Sequence, residues 1–456
     1  MTQQEPVWLA TLSELATEFC EAVAVIKGPP DLRPWNADQV LWAGRQAPAP
    51  GDELYGYYPL GDGPQVAILG AASRWVFSRL VEAFASHPSY GGAYGESFLR
   101  DMLVGLLQLS LPDAALSPLP SPYWKRYVAP AVEKLRAGSP QRYAEAVTMA
   151  VKALPVPHPR TAVVLPLAGV YLLGPRALAG VTLLPEAACK ADPDLGTCGM
   201  FLHRLKDLQG RDDGAPVTFA KVYVAAEPGL AVLRAVERVE QLCRLLRLLP
   251  NPGLADGPLT DPPRIDLDAA DSAAFYIAET SVGTHPIPLR RSGSEPQGKL
   301  GHFRVEPALD QPAWRRLASL VELGPRSELE GRLLSSLRYL GDAMSEPSAA
   351  MAVGQACLAL DALLGAPDGA ASVLPPSELA GALAGRTPER RRALRDQHAR
   401  LDSLASRLRH NLHQVVPPQP RAEAIWLAFE VLKALAERPE LTSYADLVAA
   451  AHASGA

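Results

Sequence analysis

Lysine is scarce in this chain: nine residues against thirty-five arginines, in a total of 456. Acidic residues outnumber both together, and the net charge of −5 leaves no global positive field to draw in nucleic acid. Contact with a polyanion must therefore come from a local basic patch. Cysteine is sparse too. Cys20, Cys189, Cys198, Cys243 and Cys357 are odd in number and far apart, with no C-x-x-C pair, which argues against a disulfide framework. Cys20, Cys243 and Cys357 fall in apolar helical runs and read as core thiols, which suits a reducing compartment. Long apolar runs are missing: residues 162–174 contain Pro166 and are too short to span a bilayer. The first residues carry Glu5, Glu14, Glu18 and Glu21 rather than a basic, then apolar, leader. The expectation is a cytoplasmic protein with no membrane contact.

Several catalytic signatures are absent. The chain has no phosphate-binding Walker loop, no His-Glu-x-x-His and no Gly-x-Ser-x-Gly elbow. His158, His203, His285 and His302 lack ligand spacing, and Asp266, Asp268 and Asp271 sit outside any calcium-loop pattern. No metal and no cofactor is expected.

What is present is an ordinary globular composition, 48% hydrophobic and 20% charged, long enough for two or three domains. The 44 prolines and abundant alanine fit a high-GC bacterial genome. Apolar spacings of three and four predict a helix over residues 8–27. Residues 28–63 are rich in Pro, Gly and aromatics, among them Trp35, Trp42, Tyr55, Tyr57 and Tyr58. They read as a loop-rich core or as a base-stacking platform. Helices are expected over 72–86, 97–109, 124–136 and 141–152. Pro155, Pro157 and Pro159 mark a boundary. Strands are expected beyond it over 161–173, 181–184, 217–224 and 275–277, with a helix over 229–249 and a basic loop over 283–301. From residue 314 the pattern is helical to the end. The fold class is α+β, mainly α. It comprises an N-terminal mainly helical region (1–158), a β-containing middle domain (159–310) and a C-terminal antiparallel helix array (311–456).

Within that array lies Arg407-Leu408-Arg409-His410-Asn411-Leu412-His413, at the end of a long basic helix that Thr387 can cap and Pro388 can start. Pro417 and Pro418 must stop it. Upstream runs Ala359-Leu360-Asp361-Ala362-Leu363-Leu364, then a short helix around Glu378 to Leu383. The basic helix offers Arg391, Arg392, Arg395 and Arg400 as RNA contacts, or as a solvated face. Arg391 and Arg392 also lie upstream of His398 at similar spacing, on a stretch that reads as solvated.

The Arg-x5-His spacing and the helix order resemble the HEPN superfamily, in particular its Apea-like branch. Asp361 stands where that branch usually has Glu, Leu404 where Tyr is common, and Gln414 where Gly is common. The resemblance implies a metal-independent endoribonuclease, in antiviral or stress defence, working as a homodimer on RNA. In that chemistry a neutral His takes the 2′-hydroxyl proton and an Arg fork steadies the phosphorane. It implies Arg407 and His413 as the catalytic pair, with Arg409, His410 and Asn411 in support. The first 310 or so residues would sense a trigger or partner. The alternatives are a non-catalytic HEPN-like module binding RNA or protein, and a helical interaction module with no nucleic-acid role. On one continuous helix Arg407 and His413 point about 120° apart, whereas Arg409 and His413 share a face.

Overall fold

A computed structural model describes residues 5–27, 37–49, 52–59, 65–109, 140–170, 172–209, 218–249, 263–265, 273–279, 281–287, 311–370, 373–410 and 416–454. It is mainly helical with β content, as the hydrophobic spacing predicts. The chain divides into two compact units. One comprises Met1–Ala162, Tyr223–Val232 and Tyr276–His285. The other comprises Val163–Val222, Leu233–Phe275 and Pro286–Ala456.

The first unit sets helices α1 (Glu5–Glu21), α2 (Ala71–Ser86), α3 (Glu96–Leu109) and α4 (Pro140–Ala153) against one antiparallel sheet. The sheet contains β1 (Val23–Lys27), β2 (Val40–Ala43), β3 (Leu54–Pro59) and β4 (Gln65–Gly70), in the order β2-β1-β4-β3. Here the expected helix over 8–27 is too long: it ends at Glu21, and residues 23–27 are the strand β1. Val23-Ala24-Val25-Ile26 is buried on both faces, so strand alternation and helical spacing look alike in it. Val23 and Val25 join Leu12, Phe19, Leu80, Leu103 and Tyr143 in the main core, while Ala24 and Ile26 face Val66 and Ile68 on the other side. Sequence reading also missed β2, β3 and β4, because they are short, lie in or beside a stretch rich in Gly, Pro and aromatics, and show no clean alternation. Residues 124–136, expected as a helix, lie outside the described residues.

The second unit contains β5 (Thr161–Ala168), β6 (Arg176–Leu178), β7 (Val181–Pro185), β8 (Thr218–Val224) and β9 (Arg264–Ile265). Their order is β5-β8-β7-β6, with β9 on β5. Two short helices, α5 (Glu186–Cys189) and α6 (Gly199–Gln209), lie between β7 and β8. The intervening loop is pinned by buried Lys221, whose Nζ lies 2.5 Å from Asp192 and 3.0 Å from Asp194. After α7 (Pro228–Leu248) come β10 (Ala273–Ile277) and β11 (Val282–Pro286), so residues 283–286 of the expected loop belong to a strand.

The helical body follows: α8 (Pro312–Leu323), α9 (Glu328–Ser345), α10 (Ala349–Leu364), α11 (Pro376–Ala384), α12 (Pro388–His410), α13 (Pro418–Ala436) and α14 (Tyr444–Ala453). Ser327, Ser348, Thr387 and Ser443 accept from backbone N–H groups at the starts of α9, α10, α12 and α14. The helix C-termini show what the arginines do. Arg421 donates to the carbonyls of Ala343 and Met344 in the last turn of α9 and of Glu346 just past it, at 3.1, 3.4 and 2.5 Å. Arg332 donates to Gly365 at 2.6 Å, past α10. Arg438 and Arg391 serve the end of α11 at Leu383 and Gly385, and Arg316 reaches Leu435 in α13. A planar fork can satisfy several orphan carbonyls at once and complements the negative end of the helix, which a compact ammonium does less well.

The later half of α7 docks on α9 at Gly341. A β-carbon there would stand 2.6 Å from Arg244 Cβ and 2.9 Å from its Cα. Gly341→Ala should therefore push the two helices apart and cost about 1–3 kcal/mol. A thermal melt matching that of the wild type would refute this close approach.

Candidate functional site

The buried stripe of α12 is Leu394, His398, Leu401, Ala405 and Leu408, at spacings of four, three, four and three. Cys357 of α10 contacts the carbonyl of Leu401 at 4.0 Å, and Asp361, one turn further along α10, acts electrostatically on His398, one turn back on α12. The two helices are thus antiparallel. At 1.5 Å per residue the start of α10, near Met351, lies level with Arg407.

Arg407 is exposed. The helix runs unbroken to His410, so Arg409 and His410 lie in its final turn, and only their backbone is described. Asn411 and His413 fall outside the described residues, and so does the meeting of either arginine with His413. Arg400 is seven residues before Arg407 and shares its face. Its side chain is 64% exposed, 3.7 Å from Glu423.

The four arginines expected to hold RNA divide into two pairs. Arg391 donates to the carbonyls of Gly385 and Ser454, tying the ends of α11 and α14, and Arg395 pairs with Glu378 at 2.8 Å. Arg392 and Arg400 face solvent. Arg390, not singled out for a separate role, covers the ring of Trp426 at 4.3 Å.

His398 is a correction. The charged stretch around it reads as solvated, but its side chain is only 8% exposed and its Nε2 is buried with no hydrogen-bond partner among the described residues. The signal was available: His398 falls on the four-three rhythm of Leu394, Leu401, Ala405 and Leu408. Burial lowers its pKa below 6.5, and nearby Asp402 and Asp361 only partly oppose this. The unfolded chain therefore takes up a proton at His398 before the folded chain does. Its contribution is complete above pH 6.5 and is lost as pH falls from there toward the folded pKa. His398→Leu should flatten that part of the stability curve. Urea titrations at several pH values would reveal it, and an unchanged slope would refute the assignment.

No helix among the described residues is long and apolar enough to cross a membrane. No family model matches the chain, and no curated protein or solved structure matches it to significance.

Proposed function

We propose that this chain is a metal-independent endoribonuclease of HEPN type, cytoplasmic and bacterial, acting as a homodimer in antiviral or stress defence. The observation that carries this reading is the helical body itself. An antiparallel α10–α12 pair supports a basic helix whose last turns offer exposed Arg407 next to the segment bearing His413. His413 would take the 2′-hydroxyl proton, and the Arg407 fork would hold the non-bridging phosphate oxygens as the 2′-oxygen bonds to phosphorus. The 5′-oxygen then leaves with a proton, and the product ends in a 2′,3′-cyclic phosphate. Arg409, His410 and Asn411 would steady the pair, with Arg392 and Arg400 touching RNA further along α12. The residues before the helical body would sense the trigger.

A second copy has a surface to cover. The family resemblance leads one to expect surplus apolar surface on the helices bearing Ala359–Leu364 and Leu401–Leu412, but Ala359, Leu360, Leu363, Leu364, Leu401, Ala405 and Leu408 are buried within one chain. The exposed apolar residues of α10 are instead Met351 and Leu358, seven apart on one face, with open space beside Gly354 between them. The intramolecular engagement of Arg391 and Arg395 favours the second reading, a non-catalytic protein-binding module.

End-labelled single-stranded RNA incubated with the protein in excess EDTA separates the two. Fragments ending in a cyclic phosphate support the nuclease; cleavage that EDTA abolishes would exclude its mechanism. Where cleavage awaits a trigger, growth arrest on overexpression, relieved by His413→Ala, is the corresponding readout.

A further inference from the structure

A second group of arginines lies where α7 meets α9. Arg244 Nε donates to Asp342 Oδ1 at 2.9 Å, and Arg247 Nη1 approaches the same oxygen at 3.5 Å. Arg247 also donates to the carbonyls of Pro263 and Gly341, at 3.0 and 3.3 Å. One carboxylate oxygen thus serves two guanidinium groups. Nη1 and Nη2 of Arg244 and Nη2 of Arg247 make no bond among the described residues. These side chains are 15% and 14% exposed, and their remaining N–H groups, absent from the fully buried unpartnered atoms, reach solvent. Arg338, on the turn of α9 before Asp342, is exposed and acts on the same group of charges. The second acid, Glu240, is a weak counterweight: burial raises its pKa despite Arg244, Arg247 and Arg338 nearby. Among the described residues, three guanidinium groups therefore face two carboxyls. Half-buried positive charge in excess is costly unless an anion joins it.

The location adds to the chemistry. Arg332, at the start of α9, reaches Gly365 beyond the end of α10, so these two helices are antiparallel. The end of α9, the start of α10 and the end of α12 therefore lie together, and Arg421 places the start of α13 there as well. Arg338 and Asp342 occupy the last two turns of α9, at the same end of the helical body as Arg407.

We infer that Arg244, Arg247 and Arg338 form a phosphate-binding site, which holds a phosphodiester of a polyanion at the end of the body that carries Arg407. Planar forks with unused donors match phosphate oxygens in pairs. That the polyanion is RNA rests on the proposed function; the phosphate chemistry does not.

The test is binding, not cleavage, so its outcome is separate from that of the nuclease reading. A fluorescein-labelled 2′-O-methyl RNA lacks the attacking hydroxyl, and polarisation reports its affinity across a salt series. Inorganic pyrophosphate, titrated as competitor, represents a free phosphate ligand. Arg338→Glu is the decisive variant, because its side chain is exposed; Arg244→Gln is the second. Arg338→Glu should weaken RNA binding about tenfold, and the loss of one phosphate contact should reduce the salt slope by about one. If pyrophosphate instead binds tightly, in a manner lost in both variants, while RNA affinity does not change, the site serves a small phosphate ligand. Wild-type affinity of both variants for both probes would overturn the proposal. So would a wild type that binds neither probe at low salt.

Discussion

His413→Ala should leave RNA bound and almost uncut, with the single-turnover cleavage rate reduced about 10²–10⁴-fold. The imidazole is asked to move a proton, which contributes to the transition state and little to ground-state affinity. Arg407→Ala should lose rate and some affinity together, because a phosphate contact goes with it. Arg407→Lys should recover little, since a point charge cannot reproduce the fork. Gel-resolved cleavage of labelled RNA in EDTA gives the rates, and polarisation gives the affinities. Equal rates for wild type and His413→Ala would end the nuclease reading. The α12 geometry sharpens the choice of partner. Because the helix is unbroken through His410, Arg407 and Arg409 lie on different faces of it, some 200° apart. Arg409→Ala therefore reports whether Arg409 supplies the cation instead.

Arg421→Met should destabilise the protein by about 3 kcal/mol, because three carbonyls at the end of α9 lose their donor in a buried setting. The residue is 2% exposed, and burial lowers its pKa while neighbouring Glu346 raises it. Methionine removes the desolvated charge, which by itself would help. It also leaves three acceptors without the donor that serves them. Arg421→Lys should recover only part of the loss, since one ammonium cannot reach all three oxygens in the plane of a guanidinium. Urea unfolding followed by far-ultraviolet dichroism gives the difference. A change within ~0.5 kcal/mol would show that the contacts are replaceable.

The helical body was legible in sequence because its helices carry their own punctuation. Thr387 with Pro388, Ser327 with Glu330 and Ser443 with Asp446 fix starts, and apolar spacing runs cleanly between them. The first unit was harder to read. Val23 to Ile26 satisfy helix and strand patterns equally, and β2 to β4 hide among glycines, prolines and aromatics. The candidate site was legible as a motif and less so as a surface. Charge runs on α12 suggested one solvated basic face, yet Arg391 and Arg395 turn inward to carbonyl and carboxylate while Arg392 turns outward. Which arginine does which depends on what lies across the interface, and spacing along one helix does not encode that. The Arg244–Arg247–Asp342 group is illegible for the same reason: its members are almost a hundred positions apart in the chain.

The arginines at the helix ends have a dynamic consequence. An isolated helix frays from its termini, where the last carbonyls exchange freely with water. Here the final turns of α9, α10, α11 and α13 are each held by a guanidinium from a different helix or from a distant part of the chain. None of these turns can unwind without releasing its neighbour's side chain, so local opening is joined to separation of the bundle. At these four ends fraying becomes a collective event.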